Sequence, residues 1–170
     1  NTDGGSLRNG FASGRGYGPQ RDVASVERVE FLKGPAAALY GSGEPGGTLN
    51  VVTKKPQFTP AHTAGLQVGT RGMRRATLDT TGPLTQDVAY RLNVAAEDGA
   101  SRTGLVDNKK YVIAPALTWN LNADTVLQYE AEFIRIRTPL DRGVVQINGN
   151  PGVLPRDRYL GEPARDNLHV

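Results

Sequence analysis

The feature that most constrains the fold is an alternation of apolar with polar or small side chains, with period two, in the second half of the chain. It is clearest over residues 88–98, 109–121 and 125–137. Successive side chains of a β-strand point to opposite faces, so this period predicts strands with one apolar face. The runs, about 11–13 residues long, exceed the usual strand of about 5–6 residues and reach the length of about 9–11 that crosses a bilayer. Two less regular runs, 62–70 and 74–82, are also predicted as strands.

The connections between these five runs alternate in length. Residues 82–87 and 122–124 are short turns, whereas 99–108 is longer and a long loop follows Thr138. Short turns at one end and long loops at the other are typical of outer-membrane β-barrels. A soluble β-sandwich also alternates, but the strand lengths and the loop asymmetry argue against it. Aromatic residues lie towards the strand ends on the apolar face, where interfacial girdles occur: Tyr90, Tyr111, Trp119 and Tyr129.

Composition excludes several classes of protein. The chain has 170 residues, no cysteine, a formal net charge of +3 and 22% charged residues. A disulfide framework, a thiolate metal site and a cysteine nucleophile are therefore excluded, and a long nucleic-acid-binding tail is not expected. No apolar run approaches the ~18 residues of a transmembrane helix. The mean hydropathy of −0.42 is compatible with alternating barrel strands.

The sequence offers no set of residues for catalysis or metal binding. His62 and His169 are the only histidines, and neither has a second ligand at a suitable spacing. Glu27 and Glu30 lie three residues apart on a predicted strand and so point to opposite faces, where they cannot act together as general acid and base. The protein is therefore not expected to be an enzyme or to bind a metal ion directly.

The first 56 residues are organised differently, with many glycines and little periodicity. Residues 1–22 are predicted to form a mobile loop, and 23–33 a strand that ends at a Gly-Pro pair. A short helix is predicted over 36–40 and a second strand over 48–53.

Residues 26–41, VERVEFLKGPAAALYG, and 43–56, GEPGGTLNVVTKKP, closely resemble the plug of TonB-dependent siderophore receptors. The family pattern is ERVE, a hydrophobic residue, a KGP-type triplet, a short helix ending in LYG, a GG turn and an N-x-x-T-K-x-P segment. Segments of the second half, among them YRLN and APALTW, are similar to the first barrel strands of that family. Eight structural positions of the plug motif are present: Arg28, Gly34, Pro35, Tyr40, Gly41, Gly46, Gly47 and Asn50.

The resemblance implies an all-β-dominated fold with two parts. Residues 1–56 would be the C-terminal half of a plug domain, a small mixed sheet with a short helix. Residues 61–170 would be the first five antiparallel transmembrane β-barrel strands and a long extracellular loop. Such receptors are 22-stranded barrels with a plugged lumen, and five strands cannot close one. The chain is therefore expected to be a fragment with an incomplete barrel.

The resemblance also implies a function. The whole receptor would lie in the outer membrane of a Gram-negative bacterium, in contact with its lipid, and would import a ferric siderophore. Energy would come from the TonB–ExbB–ExbD complex through a segment that precedes this region in the family. Iron would arrive already chelated, so no cofactor is expected, and nucleic acid is not an expected partner. The alternatives are a receptor for haem, cobalamin or an oligosaccharide, and a passive porin or adhesin barrel, which would lack the motif over 26–56.

Three residues are candidate siderophore contacts by resemblance: Arg15, Tyr17 and Gln20. Plug loops that rise towards the external vestibule of these receptors carry aromatic and polar side chains that contact the chelate. The ring of Tyr17 would pack on apolar parts of the ligand while its hydroxyl bonds an oxygen, and Arg15 would meet an anionic chelate. The alternative is that these are solvated loop residues. Tyr40 is expected to pack in the plug core.

Two sets of side chains are expected to face each other inside the barrel. A polar plug can be held by ion pairs that are weak enough to be reversible. The candidate cations are Arg28, Lys33, Lys54 and Lys55, and the carboxylates with lumen-facing parity are Glu97, Glu130 and Glu132. The three clearest strands are expected to be antiparallel neighbours with Leu92, Leu117 and Phe133 facing outward and Arg91, Thr118 and Glu132 facing the lumen.

Overall fold

The structure is a computed structural model that describes residues 6–12, 22–32, 48–100, 107–139, 155, 158, 160 and 167–169. This part of the chain consists almost entirely of β-strands in two sheets, and a short 3₁₀ turn at Thr70–Gly72 joins two strands. Among these residues, no helix is long and apolar enough to span a membrane.

The small sheet has four strands in the order β2-β1-β4-β3. It is mixed, because β1 runs parallel to β4 while the other pairs are antiparallel. Its strands are β1 (Ser6–Arg8), β2 (Phe11–Ala12), β3 (Val26–Leu32) and β4 (Thr48–Thr53). The predicted strands at 23–33 and 48–53 are thus present, the first shortened at both ends. The predicted helix over 36–40 lies outside the described residues.

The expectation of an irregular loop over residues 1–22 is wrong for residues 6–12. Strands β1 and β2 form a hairpin whose two turn residues, Asn9 and Gly10, have φ values of 51° and 83°. Asn-Gly favours this turn, because both residues enter the left-handed region at little cost.

The large sheet has seven strands, all antiparallel, in the order β11-β10-β8-β7-β6-β5, and β9 also pairs with β8. Strands β5 to β8 match four predicted runs within two residues at each end. The strands are β5 (Ala61–Val68), β6 (Arg74–Pro83), β7 (Val88–Ala100), β8 (Asp107–Asn122), β9 (Thr125–Glu130), β10 (Phe133–Pro139) and β11 (Asn167–His169).

The fifth predicted strand, 125–137, is interrupted at residues 131–132 and forms both β9 and β10. The interruption lies beside Pro115 of β8, which has no N–H to donate to the ladder. The N–H of Ala131 still donates to the carbonyl of Pro115, at 3.0 Å. The register with β8 continues across the gap, from the pair Ala116–Glu130 to Ile113–Phe133, so the facing of the side chains is kept.

The large sheet has one exposed apolar face and one covered face, as the alternation predicted. Leu117 and Phe133 are 40% and 64% exposed, whereas Thr118 on the opposite face is buried. The small sheet and the chain that follows it cover that second face, where the backbone N–H of Gln57 donates to the Thr81 hydroxyl of β6 at 2.8 Å. Small side chains of this face permit the close approach: Ala89, Ala95, Ala114 and Ala116 are buried.

The predicted fold class is confirmed. The chain is all-β in its described part, with a small mixed sheet packed against antiparallel strands that do not close into a barrel. The two least exposed partners of an ion pair in the described residues, Asp22 and Arg75, lie between the two sheets rather than in the core of either one.

Candidate functional site

The candidate site is the layer of polar side chains between the two sheets, here called the polar interface. Its members on the small sheet and its flanking residues are Arg8, Asn9, Asp22, Ser25, Thr53, Lys54 and Lys55. Its members on the large sheet are Arg75, Asp79, Arg91, Glu97, Lys110, Glu130 and Glu132.

Asp22 is the most deeply buried acid of the polar interface, with 3% of its side chain exposed. Arg75 of β6 bonds both of its carboxylate oxygens, with Nη2–Oδ1 at 2.5 Å and Nη1–Oδ2 at 3.0 Å. Lys110 of β8 lies 3.0 Å from Oδ2, and Arg75 also contacts Glu97 of β7 at 2.7 Å. This acid, which precedes β3 of the small sheet, is thereby bound to two strands of the large sheet directly and to a third through Arg75.

The surroundings of Asp22 keep its carboxyl group ionised. Burial alone raises the pKa of Asp22, but hydrogen bonds from Arg75, from the backbone N–H of Ala24 and from Lys110 outweigh it and lower the pKa from 3.8 to about 2. The Ala24 N–H lies 2.8 Å from Oδ1. The negative charge of Asp22 is therefore present at any physiological pH.

A second cluster is built around Asp79 of β6. Arg91 of β7 bonds it in a bidentate manner, with Nε–Oδ1 at 2.9 Å and Nη2–Oδ2 at 2.7 Å, and Lys54 reaches Oδ2 at 2.9 Å. Arg91 also donates from Nη1 to the backbone carbonyl of Lys55 at 2.9 Å. The geometry ties residues 54–55 to a pre-formed pair on the large sheet.

A third cluster is formed by Glu130 and Glu132, which lie at the end of β9 and just after it. Glu132 accepts bonds from Arg8 at 2.7 Å and from the Ser25 hydroxyl at 3.0 Å. Glu130 is paired with Lys55 and accepts a bond from the Thr53 hydroxyl at 2.8 Å. These contacts join β1, the start of β3 and the end of β4 to the same short stretch of the large sheet.

The arrangement supports a firm but separable attachment. Buried charges are costly unless each is paired and hydrogen-bonded. At least two donors bond each of four acids of the polar interface: Asp22, Asp79, Glu130 and Glu132. In an apolar interface the stabilisation falls steadily as the contact area shrinks. This interface instead consists of separate hydrogen bonds and ion pairs, and water can replace each of them when the two sheets separate. Among the described residues, no group of three His, Cys, Asp or Glu side chains is arranged to hold a metal ion.

Most of the predicted pairing residues meet in this interface. Lys55 pairs with Glu130, one of the carboxylates with the predicted lumen-facing parity. Lys54 instead pairs with Asp79, and Glu97 pairs with Arg75 of its own sheet. Three side chains predicted to face the lumen on the clearest strands do so: Arg91, Thr118 and Glu132.

The expectation that Arg28 pairs with the large sheet is wrong. Arg28 lies on β3, is 55% exposed, and contacts Glu30 at 2.8 Å and Glu27 at 3.5 Å within its own sheet. The other cation of that prediction, Lys33, lies outside the described residues.

Of the plug-motif positions, the structure describes Arg28 and Asn50. Asn50 is 6% exposed and cross-links its sheet by accepting from the Gly10 N–H at 3.0 Å and donating to Glu30 at 2.8 Å. The bond from Asn50, with that from Arg28, lowers the pKa of Glu30. The six other motif positions and the three candidate siderophore contacts lie outside the described residues: Gly34, Pro35, Tyr40, Gly41, Gly46, Gly47, Arg15, Tyr17 and Gln20.

Sequence reasoning missed several members of the polar interface. The sequence shows that Arg75 and Asp79 lie on the same face of β6, because they are four residues apart. The apolar alternation of that strand is too weak to indicate which of its two faces points inward. Asp22 follows a stretch without periodicity, so no pattern marks it as buried. Arg8 likewise lies in a glycine-rich stretch without periodicity, for which the sequence predicts a loop instead of the observed hairpin.

Comparisons with known proteins agree with the geometry. Residues 2–48 match the family model of the TonB-dependent Receptor Plug Domain. The metal-pseudopaline receptor CntO of Pseudomonas aeruginosa is 45% identical over 154 residues, which cover 89% of this chain and 22% of that protein. The chain belongs to the TonB-dependent receptors. The small sheet is therefore plug, and the large sheet is barrel.

Other TonB-dependent receptors give the same result. The catecholate siderophore receptor Fiu of Escherichia coli K12 is 32% identical over 134 residues, or 78% of this chain and 17% of Fiu. The pyoverdine outer-membrane receptor FpvA of P. aeruginosa PAO1, bound to pyoverdine, superimposes with a TM-score of 0.80 at 28% identity, covering 94% of this chain and 25% of FpvA. The chain spans about a fifth of the length of the curated relatives it matches. TonB-dependent receptors reside in the outer membrane of Gram-negative bacteria, which is the location predicted for this chain.

Proposed function

We propose that the chain forms part of the plug and the first barrel strands of an outer-membrane receptor that imports a metal chelate, with a ferric siderophore as the first candidate. The observation that carries this proposal is the polar interface. A plug sheet lies against the inner face of membrane strands and is held there by discrete ion pairs, from Asp22 to Arg75 and Lys110 and from Lys54 to Asp79.

The polar interface suits a plug that must yield during import. Its pairs can be broken one at a time and replaced by water, so the energy needed is spread over several small steps. Under the proposal, the TonB–ExbB–ExbD complex supplies that energy by pulling on the plug. A passive porin or adhesin barrel would not require a separate sheet that covers the inner face of its strands.

The ligand is proposed to be a metal ion carried by a small organic chelator. The names of the similar receptors support this class, since they include metal-pseudopaline, ferrichrome and catecholate siderophore receptors. The metal would be enclosed by the chelator, so the protein would need no metal ligands and no cofactor of its own. Haem, cobalamin and oligosaccharides remain the alternative cargoes.

Arg15, Tyr17 and Gln20 are proposed to contact the chelate from the outer side of the plug. An aromatic ring with a hydroxyl and a cationic side chain suit a ligand that has both apolar parts and anionic oxygens.

Equilibrium binding to the full-length receptor in detergent tests this proposal. Ferric hydroxamate, ferric catecholate and metal-pseudopaline complexes would each be titrated, with the metal-free chelators and haem as comparisons. Tyr17→Ala is expected to weaken binding of the preferred chelate by about 1–2 kcal/mol, the scale of one aromatic packing contact with its hydrogen bond. His62→Ala is the control, because His62 is exposed and bonds Thr80 on the outward face.

Two outcomes would contradict parts of the proposal. If Tyr17→Ala binds like the wild type while a variant of Asp141 or Arg142 loses affinity, the ligand contacts belong to the barrel loops. If haem binds and no metal chelate does, the proposed cargo is wrong.

A further inference from the structure

A row of charged side chains crosses the large sheet on its exposed, apolar face. Arg74 of β6 lies opposite Asp98 of β7, Asp98 opposite Lys109 of β8, and Lys109 opposite Arg137 of β10. All four share the parity of the outward-facing side chains. Arg135 adds a fourth cation one outward position before Arg137 on β10, directly opposite Tyr111.

The register fixes the depth of this row in the membrane. On β8 the outward side chains are apolar or aromatic from Tyr111 to Leu121 apart from Pro115. About ten residue steps of roughly 3.4 Å, at a tilt of about 40°, give a band of about 26 Å, close to the ~25 Å apolar band of such barrels. Lys109 is the next outward residue beyond Tyr111, so it lies at the level of the lipid headgroups.

The row lies at the extracellular end of the sheet. The short turns at residues 84–87 and 123–124 mark the periplasmic end, and the longer connection between β7 and β8 and the long stretch after β10 mark the opposite end. Lys109 and Arg137 are therefore at the outer leaflet. Cations that face lipid are costly at the bilayer centre and tolerated at this level.

A groove of about 570 Å³ runs along the outward face between β8 and β10 at this end. Lys109 and Arg137 line its extracellular end, and Ile113 and Phe133 line its lower part. Arg135 and Tyr111 face each other between these two levels. Lys109 is 3.9 Å from Asp98, with both side chains about half exposed. Within the described part of the chain, neither Arg135 nor Arg137 forms an ion pair. The groove thus has an excess of positive charge above an apolar floor.

We propose that this groove binds a phosphorylated lipid of the outer leaflet. The phosphate groups would lie on the three cations, and the acyl chains would lie over Tyr111, Ile113 and Phe133. Charge complementarity favours this occupant, because the outer leaflet of a Gram-negative outer membrane is built from phosphorylated glycolipid, and Arg and Lys bind phosphate through charge-assisted hydrogen bonds. The inference rests on the membrane orientation of the proposed function.

Lipid binding by the full-length receptor in detergent tests the proposal, with diphosphorylated lipid A as the probe and native mass spectrometry as the readout. A Lys109→Gln, Arg135→Gln, Arg137→Gln triple variant is expected to lose affinity by about fivefold for each charge removed. Arg74→Gln is the matched control, because Arg74 faces outward in the same row but lies outside the groove and opposite Asp98. It is expected to bind lipid A as the wild type does.

Two further probes separate the sources of phosphate. Lipid A stripped of its phosphates is expected to bind as weakly to the wild type as intact lipid A binds to the triple variant. Millimolar inorganic phosphate is expected not to displace lipid A, because it has no contact with the apolar floor.

Three results would overturn the proposal: equal lipid A affinity of wild type and triple variant, equal binding of the dephosphorylated lipid, or displacement by inorganic phosphate. Failure here is distinguishable from failure of the proposed function. A receptor that binds its metal chelate but shows any of these three results refutes only the lipid site. A receptor that is absent from the outer membrane refutes both.

Discussion

The carboxylate of Asp22 and the guanidinium of Arg75 form a two-point ion pair between the small and the large sheet, with 3% and 9% of the side chains exposed. Burying such a pair is costly unless the remaining bonding capacity of both partners is filled. Lys110 and the Ala24 N–H fill the remaining bonding capacity of the Asp22 carboxylate, and Glu97 accepts a further bond from Arg75. The cluster is therefore the firmest of the attachments between the sheets.

Removing the charge of Asp22 should loosen the small sheet. Asp22→Asn leaves Lys110 without a buried acid and Arg75 with Glu97 alone, so we expect a loss of about 2–3 kcal/mol in the free energy of plug release. Urea titration of the full-length receptor in detergent measures it, with a spin label at Phe11→Cys, a side chain that is 79% exposed. Glu27→Gln is the control, expected to change less than about 0.5 kcal/mol, because Glu27 is half exposed and 3.5 Å from Arg28. Equal effects of the two variants would refute the assignment.

The same cluster predicts a pH dependence with a definite sign. The folded-state pKa of Asp22 is about 2, below the ordinary 3.8, so the folded state binds its proton less readily than the unfolded state does. Its contribution is therefore fully present above pH ~4 and is lost as the pH falls towards 2. The difference between wild type and Asp22→Asn in the urea assay should be constant from pH 7 to about 4.5 and shrink below pH 4. A difference that persists unchanged at pH 2 would contradict this origin.

The large sheet was almost fully predictable from sequence because alternation is a local signal. A strand such as β7 exposes one face to lipid and the other to the plug. The polarity of each residue therefore indicates which face of the sheet its side chain lies on. The break at residues 131–132 was not predictable from that strand alone, since its cause is Pro115 on the neighbouring strand.

The polar interface was predictable only in part. Parity identified Glu130 and Glu132, because both lie in the strongly alternating run 125–137. The partners of Glu132, Arg8 and Ser25, lie in segments without periodicity. A contact between residues more than a hundred positions apart produces no pattern in the sequence around either residue. The Asn9-Gly10 turn was a usable hairpin signal that the glycine-rich surroundings obscured.

Arg8 and Arg28 should differ sharply in their effect on plug attachment. Arg8 bonds Glu132 at 2.7 Å in a largely buried pair, whereas Arg28 is 55% exposed and bonds within its own sheet. Arg8→Gln should lower the urea midpoint for plug release, by about 1–2 kcal/mol in free energy, and Arg28→Gln should leave it within about 0.5 kcal/mol. The spin-label assay compares the two directly, and a larger effect of Arg28→Gln would show that the attachment runs through residues other than those described.

The depth of β8 in the membrane can be tested with two leucines. Leu117 lies near the middle of the outward apolar band and Leu121 at its periplasmic end. Leu117→Lys should destabilise the folded barrel by about 2–4 kcal/mol and Leu121→Lys by about 0–1 kcal/mol, because the cost of a lipid-facing charge falls towards the interfaces. Heat-modifiable mobility of the receptor in outer-membrane fractions reports the folded amount. Equal yields of the two variants would mean that the strand sits at another depth or does not face lipid.

The central claim is that the small sheet must separate from the large sheet during import, and a reversible cross-link tests it most directly. The chain has no cysteine, and the Ser25 hydroxyl lies 3.0 Å from a Glu132 carboxylate oxygen, so Ser25→Cys with Glu132→Cys can be bridged by a short bifunctional thiol reagent. A bridge within the large sheet, between Leu66→Cys and the facing Ala76→Cys, is the control. Uptake of a radiolabelled metal chelate into whole cells is the measurement. The account predicts that the Ser25–Glu132 bridge stops uptake while chelate binding persists. Reductive cleavage of the bridge should restore uptake, and the control bridge should have no effect on uptake. Uptake at the wild-type rate through the bridged receptor would contradict the account.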